Sequence, residues 1–159
     1  MKPLTDSTRS KLVAFVGGQI ADQDFEHWLY SAPGLEDELG SGAYLDLVGM
    51  DFSKPIDIAA ARELAATLYA ARQGYSIELD RALLVLRAMI AGECSYRVGT
   101  KILADLRLAG HEFIPAVFAG YSSEIERLGT AEHYQERILM DAKKLIAEIE
   151  DLTTRPGQA

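Results

Sequence analysis

The sequence predicts an all-α fold, a single-domain helical bundle of about six or seven helices over residues 1–153 with a frayed tail at residues 154–159. Three observations predict this class. Apolar residues recur at helical spacing through most of the chain, the two-residue alternation of strands is absent, and the breaks at Gly and Pro are short. The 159 residues are 48% hydrophobic and 25% charged, which suits a globular domain with its own core.

The first third of the chain predicts two helices and two short segments. The first helix has Thr5 or Ser7 as its N-cap and ends at Gly17. The second helix has Asp22 as its N-cap and carries an apolar face at spacing i, i+3, i+4, made of Phe25, Trp28 and Leu29. The stretch LEDEL at residues 35–39 predicts one helical turn. Residues 43–52 fit neither period cleanly, and a short helix and a strand are both open there.

The remainder predicts five more helices. The first three end near Gly74, Gly92 and Gly110. In the fourth, Pro115 suits the first turn, and Gly120 allows a break in the middle. The last helix has the clearest apolar stripe, made of Tyr134, Ile138, Ala142, Leu145, Ile149 and Leu152.

Negative charge is concentrated in one segment. The chain has 24 acids and 16 Lys or Arg residues, for a formal net charge of −8. From Ile20 to Asp51 there are eight acids and no Lys or Arg, so the remainder, with 16 acids and 16 bases, is neutral. We call this segment the acidic window, and its acids are Asp22, Asp24, Glu26, Glu36, Asp37, Glu38, Asp46 and Asp51.

The acidic window either keeps the protein soluble or binds a basic partner. Eight acids without a base repel one another, whereas the rest of the chain mixes both signs, and we therefore favour binding. Concentrated negative charge raises association rates with a basic partner by about 10–10³-fold. Tyrosine anchors interfaces at low entropic cost. We predict a partner-binding surface made of the eight acids together with Tyr30 and Tyr44.

Composition excludes several classes of partner and compartment. The net charge of −8 argues against binding nucleic acid, which needs clustered Lys and Arg. No stretch approaches the roughly 20 apolar residues of a membrane span, and the N-terminus lacks a signal-peptide pattern. Cys94 is the only cysteine, so no intrachain disulfide can form. We predict a cytoplasmic protein without membrane or nucleic-acid partners.

The three histidines, His27, His111 and His133, each adjoin a glutamate in sequence. Zinc helices place His at i and i+4, and none of the three has that spacing. A metal site assembled in space from these histidines and nearby acids is the open alternative. Cys94 at a helix end predicts a buried, inert thiol. We predict no metal site, no cofactor and no enzymatic activity.

Two stretches resemble small bacterial proteins of toxin–immunity loci. Residues 24–55, DFEHWLYSAPGLEDELGSGAYLDLVGMDFSKP, carry a Phe-x-x-Trp-hydrophobic-Tyr helix, a Leu-acid-x-x-Leu turn and a Tyr-Leu-x-Leu segment. Residues 110–129, GHEFIPAVFAGYSSEIERLG, are similar to their Phe-Ile-Pro … Ser-Glu stretch. Together the stretches cover about a third of the chain. The resemblance implies a rigid, non-enzymatic protein that binds a basic toxin tightly.

The sequence therefore predicts a cytoplasmic immunity protein that neutralises a cognate bacterial toxin by stoichiometric binding through its acidic surface. A helical interaction or regulatory module unrelated to a toxin is the first alternative. A metal-dependent hydrolase using His27, His111 and His133 is the second. The identity of the toxin and the oligomeric state are open.

Overall fold

A computed structural model describes residues 2–155, and within this range the protein is all-helical, with nine α-helices, one 3₁₀ helix and no β-strand. The predicted class is confirmed, but the predicted number of helices was too low. The 3₁₀ helix, Glu132–Tyr134, directly precedes the last α-helix. The α-helices are α1 (Asp6–Val16), α2 (Asp22–Ser31), α3 (Leu35–Leu39), α4 (Ser41–Val48), α5 (Pro55–Gln73), α6 (Ile77–Ala91), α7 (Tyr96–Leu108), α8 (Val117–Leu128) and α9 (Gln135–Thr154).

The two additional helices are α3 and α4. The stretch LEDEL forms the five-residue helix α3, which the sequence predicts as a turn. Within residues 43–52, the backbone is helical through Val48 and then forms the turn that leads into α5. Leu47 is fully buried, and Tyr44 and Val48 are half-buried. Positions 44, 47 and 48 therefore form one helical face, which decides between helix and strand.

Local chemistry sets most of the helix ends. The Thr5 hydroxyl caps α1 by accepting a hydrogen bond from the backbone N–H of Thr8, and Gly74 ends α5 in a left-handed conformation with φ of 79°. Two predicted starts were wrong. Asp22 is the first residue of α2, and its N-cap is Ala21. Helix α8 starts at Val117, two residues after Pro115, and continues without a break through Gly120.

The chain forms two compact units, Met1–Ile77 and Glu78–Ala159. The prediction of a single domain over residues 1–153 stays a prediction. Of the predicted frayed tail, Thr154 is the last residue of α9 and Arg155 is its C-cap. Residues 156–159 lie outside the described residues.

The N-terminal unit is built around an aromatic cluster. The rings of Phe15 on α1 and Phe25 on α2 are stacked with centroids 3.7 Å apart. Phe52, from the turn after α4, lies 6.1 Å and 5.9 Å from them. All three side chains are buried, and Trp28 is half-buried at 5.4 Å from Phe25. Residues from α1, α2 and the turn before α5 thus share one apolar centre.

The C-terminal unit buries four of the six residues of the predicted stripe of the last helix. Ile138, Ala142, Leu145 and Ile149 of α9 are buried, as the apolar spacing predicts. Leu152 and Tyr134 are half-buried, and Tyr134 lies in the 3₁₀ helix before α9. Gly99 on α7 is also buried and lies against Met89 of α6. A Cβ at position 99 would overlap the Sδ and Cγ atoms of Met89, whose side chain is only 2% exposed. The absence of a side chain at Gly99 therefore permits this contact between α6 and α7.

Alanine substitutions at two helical glycines should have opposite effects on the free energy of unfolding. Gly99→Ala forces buried Met89 to move, and should lower this free energy by about 1–3 kcal/mol. Gly120 on α8 is exposed with no atom near an added Cβ, so Gly120→Ala should raise it by about 0.5–1 kcal/mol. Urea unfolding followed by circular dichroism measures both, and a stabilising Gly99→Ala would contradict the close contact.

Candidate functional site

The acidic window lies entirely within the N-terminal unit and spans three helices and a turn. Helix α2 carries the first three acids, α3 carries the next three, α4 carries Asp46, and Asp51 lies in the turn before α5. Three of the eight acids are bound by groups of this unit that lie outside the window. These are Asp22, Glu38 and Asp51.

Asp22 forms an ion pair with Arg62 of α5, with 2.9 Å between the carboxylate oxygen and a guanidinium nitrogen. The same guanidinium lies over the ring of Phe15, 5.4 Å from its centroid. Arg62 therefore joins α5 to α2 by charge and to α1 by a cation–π contact. The carboxylate of Asp22 is used within the fold.

Asp51 organises the turn before α5. Its carboxylate accepts hydrogen bonds from the Ser53 hydroxyl at 2.5 Å and the Ser53 backbone N–H at 3.0 Å, and pairs with the Lys54 ammonium at 3.0 Å. The bonds from Ser53, followed by the contact with Lys54, lower the pKa of Asp51 to about 2. Asp51 is therefore an ionised structural residue at the start of α5.

Glu38 of α3 binds the N-terminus of α1. Its carboxylate accepts a hydrogen bond from the backbone N–H of Thr5 and another, at 2.8 Å, from the hydroxyl of Thr8. In a capping box, a Glu three residues after the N-cap accepts a hydrogen bond from the backbone N–H of the N-cap residue. That position in α1 holds Thr8, and Glu38 supplies the carboxylate from a different helix. Glu38 is thus a tertiary cap of α1.

Two opposing effects act on the pKa of Glu38. Partial burial raises it, but the hydrogen bonds from Thr5 and Thr8 and the nearby charge of Arg72 lower it, and the net result is a lowered pKa. Arg72 also donates a hydrogen bond to the backbone carbonyl of Leu39 at 2.8 Å. The last residues of α3 are therefore held by α1 and α5 together.

The other five acids form no ion pair with any residue in the described range. All are exposed except Glu26, which is half-buried. On α2, Asp24 and Glu26 project about 160° apart around the helix axis, so the window does not form one continuous face. Glu26 lies one turn before Tyr30 on the same side of α2. The five acids are Asp24, Glu26, Glu36, Asp37 and Asp46.

The two predicted anchor tyrosines both join α2 to α4. The Tyr30 hydroxyl donates a hydrogen bond to the carbonyl of Val48 at 3.1 Å, and the Tyr44 hydroxyl donates to the carbonyl of Leu29 at 3.2 Å. Tyr44 is half-buried, so its contact is mainly structural. Tyr30 remains 59% exposed, and most of its ring is free to meet another molecule.

Sequence reasoning missed Leu45, which is 62% exposed on α4. The signal was present, because Leu45 departs from the buried face formed by positions 44, 47 and 48. Tyr30 reaches Val48, which lies one turn after Leu45. We call these two exposed side chains, each with one acid of its own helix, the anchor patch. It consists of Tyr30 with Glu26 on α2, and of Leu45 with Asp46, its neighbour in sequence, on α4.

The histidines lie on three different segments of the chain. His27 is exposed on α2, and His133 is exposed in the 3₁₀ helix. His111 is half-buried after α7, with its ring 6.0 Å from that of Phe113. Among residues 2–155, no group of three or more His, Cys, Asp or Glu is placed to hold a metal ion. The geometry therefore offers no support for the hydrolase alternative.

Cys94 lies in the turn between α6 and α7 and is half-buried. Burial raises the pKa of its thiol, and this effect exceeds the opposing hydrogen bond from the Gly99 backbone. A raised pKa keeps the sulfur in the poorly nucleophilic thiol form. The raised pKa agrees with an inert thiol, but Cys94 is half-buried and not buried as predicted, and the absence of enzymatic activity stays a prediction.

Comparison with known proteins identifies no relatives of this chain: no family model, curated protein or solved structure matches it. None of the described helices is long and apolar enough to cross a membrane. The toxin–immunity resemblance and the predicted partner surface therefore remain predictions.

The tertiary cap formed by Glu38 predicts a loss of stability on its removal. Glu38→Ala leaves the Thr5 N–H and the Thr8 hydroxyl without their acceptor, and should lower the free energy of unfolding by about 1–2 kcal/mol. Glu36→Ala is the matched control, because Glu36 is exposed on the same short helix. Urea unfolding at pH 7 measures both, and equal losses would refute the cap.

The same pair of variants predicts a pH dependence. Because the folded-state pKa of Glu38 is lowered, its stabilisation is present above the unfolded-state pKa, which is about 4.3 for Glu. The stabilisation is lost as the pH falls through the folded-state pKa. The stability difference between wild type and Glu38→Ala should therefore shrink as the pH falls from 5 to 3 in unfolding curves. A difference independent of pH would show that the charge of Glu38 contributes nothing.

Proposed function

We propose that this protein is a cytoplasmic immunity protein that neutralises a cognate bacterial toxin by stoichiometric binding through the anchor patch. It acts without a cofactor and without catalysing a reaction. One observation carries the proposal: five acids of the window have no ion-pair partner among the described residues, and the helices that carry two of them, Glu26 and Asp46, also carry the exposed side chains of Tyr30 and Leu45. Unpaired carboxylates and exposed apolar side chains on the same helices are suited to a basic protein partner.

The acids and the apolar side chains have different roles in this proposal. Unpaired acids at the rim attract a basic partner and mainly raise the association rate. Tyr30 and Leu45 lose exposed apolar surface on contact, which mainly slows dissociation. Tyr30 is already held by its bond to Val48, so little side-chain entropy is lost when a partner binds.

The intramolecular contacts narrow the predicted surface. Asp22, Glu38 and Asp51 are held by Arg62, by Thr5 and Thr8, and by Ser53 and Lys54, and we remove these three acids from the proposed contact. Tyr44 is removed for the same reason. Asp24, Glu36 and Asp37 are exposed and unpaired within residues 2–155. We therefore retain them as residues whose electrostatic field attracts a basic partner at longer range.

The resemblance to toxin–immunity proteins identifies the partner to be tested. Toxins that act on nucleic acids are often basic, and such a toxin meets its immunity protein in the cytoplasm. The product of the adjacent gene should therefore co-purify with this protein in a one-to-one complex, and expression of this protein should restore growth to cells that produce the toxin. A partner that binds the anchor patch without any toxicity would favour the alternative of an interaction or regulatory module.

Charge reversal in the anchor patch should slow binding to this partner. The double variant Glu26→Lys, Asp46→Lys should lower the association rate by about tenfold or more at low salt and flatten its salt dependence. The matched control is Glu93→Lys, Glu112→Lys, which reverses two exposed acids of the C-terminal unit. Stopped-flow association over a salt series measures both. Equal effects of the two double variants would rule out the anchor patch as the contact.

Truncation of the anchor tyrosine should speed dissociation. Tyr30→Ala removes a 59% exposed ring and should raise the dissociation constant by about 30-fold, mostly through the dissociation rate. Tyr30→Phe keeps the ring and loses only the hydroxyl bond to Val48, so its affinity should stay close to that of wild type. Surface plasmon resonance compares the three proteins. If Tyr30→Ala binds like wild type, Tyr30 is outside the interface.

A further inference from the structure

A small cavity opens to solvent in the C-terminal unit between the start of α8 and the middle of α9. Its volume is about 150 Å³. Ligand pockets for cofactors and drug-sized molecules are typically about 300–1,000 Å³, so this cavity is too small for them. It has room for a single long side chain or a small ion-bearing molecule. The lining residues are Pro115, Val117, Asp141, Lys144, Leu145 and Glu148.

The carboxylate of Asp141 is positioned by a buried tyrosine. The hydroxyl of Tyr121, a residue only 7% exposed, donates a 2.6 Å hydrogen bond to Oδ2 of Asp141. Burial, followed by the bond and charge of Asp141, raises the pKa of Tyr121 to about 12, so this hydroxyl remains a donor at physiological pH. Oδ1 of Asp141 has no hydrogen-bond donor among residues 2–155. One carboxylate oxygen is therefore held in place while the other is available.

The apolar wall of the cavity is equally well held. Arg107 donates hydrogen bonds to the backbone carbonyls of Glu112 at 2.9 Å and Ile114 at 3.3 Å, directly before Pro115. Ile114 is fully buried, which anchors the same segment from the inside. The ring of Tyr121 packs against Phe118 with centroids 6.0 Å apart. The cavity is thus formed by side chains and backbone whose positions are set before any ligand arrives.

The side chains that line the cavity carry one net negative charge, and the positive charge of nearby Arg137 also acts on Tyr121. Two carboxylates, Asp141 and Glu148, face one ammonium group, Lys144, and neither Lys144 nor Glu148 forms an ion pair within the described range. Pro115, Val117 and Leu145 offer an apolar surface to a methylene chain. A guanidinium group binds a carboxylate best with two parallel bonds, one to each oxygen, and at Asp141 it would have to share Oδ2 with the Tyr121 hydroxyl. An ammonium group needs only the other oxygen.

We propose that this cavity binds the side chain of a lysine presented by a partner protein. The methylene chain lies on Pro115, Val117 and Leu145, and the ammonium group donates to Oδ1 of Asp141 with Glu148 nearby. Lys144 lies on the rim and opposes entry of the cation. The proposal concerns the C-terminal unit and holds for any partner, so it does not depend on the anchor patch or on the partner being a toxin.

A lysine side-chain mimic tests the cavity without the partner. Isotope-labelled protein is titrated with n-butylammonium, with neutral n-butanol and with propylguanidinium, and backbone amide shifts are followed by NMR. We expect n-butylammonium to shift the amides of Val117, Asp141 and Leu145 in a saturable manner and to bind more tightly than the other two. Equal binding of n-butanol would show a merely apolar cavity, and tighter binding of propylguanidinium would overturn the assignment of lysine.

Three variants test the roles of the charged residues. Asp141→Asn keeps an acceptor for Tyr121 but removes the charge, and should weaken the binding of n-butylammonium by about threefold to fivefold. Lys144→Met removes the opposing charge and should strengthen the binding of n-butylammonium by about twofold. Glu148 is exposed, and Glu148→Gln should also weaken the binding of n-butylammonium. This variant provides the same test if Asp141→Asn disturbs the fold. Unchanged affinity in Asp141→Asn and Glu148→Gln, or weaker binding in Lys144→Met, would overturn the proposal.

Discussion

Mutual repulsion among eight carboxylates is the constraint that shapes the N-terminal unit. The acidic window contains no base of its own, so any relief must come from residues outside it. The fold supplies that relief at three points, with Arg62 bound to Asp22, Lys54 bound to Asp51, and the start of α1 bound to Glu38. Each contact also joins segments that are apart in sequence or orders a turn. The interactions that bind these acids therefore also link α1, α2, α3 and α5, in addition to the buried aromatic cluster.

This arrangement separates structural acids from acids that are available to a partner. A carboxylate already bound by a guanidinium or by two hydroxyl and amide donors gains little from a second cation. An exposed, unpaired carboxylate keeps its full attraction for one. The separation leaves Glu26 on the same helix as exposed Tyr30, and Asp46 on the same helix as exposed Leu45. Such a combination is typical of the rim and centre of a protein–protein interface.

The ion pairs of the C-terminal unit are mostly local in sequence. Most of its ion pairs join residues three or four apart on one helix, which are exposed or half-exposed contacts of small energetic value. They include Arg81–Glu78, Lys101–Asp105, Arg127–Glu124 and Arg155–Asp151. Asp141 is an exception, because its carboxylate accepts a hydrogen bond from a buried tyrosine hydroxyl and forms no ion pair with a base among residues 2–155. That difference leaves a positioned negative charge at the edge of a cavity, where a cation fits.

Local spacing predicted most of the helices, because backbone hydrogen bonds join residues four apart and apolar stripes repeat with the helical period. It predicted the buried stripe of α9 and the end of α5 at Gly74. Local spacing was less informative about which face of α5 is buried. Leu64 and Leu68 lie one turn apart on α5 but are only half-buried, whereas Ala61, Ala65 and Tyr69 are fully buried, since small alanines allow a neighbouring helix to approach closely.

By itself, the sequence determined the helical class and the confinement of the excess negative charge to residues 20–51, because period and composition are properties of the chain. Only the tertiary structure decided which acids are bound and which are available, and that Leu45 is exposed while Asp141 is held by Tyr121. Contacts such as Asp22–Arg62 join residues 40 positions apart. Their formation depends on how helices pack, and no local spacing encodes that packing.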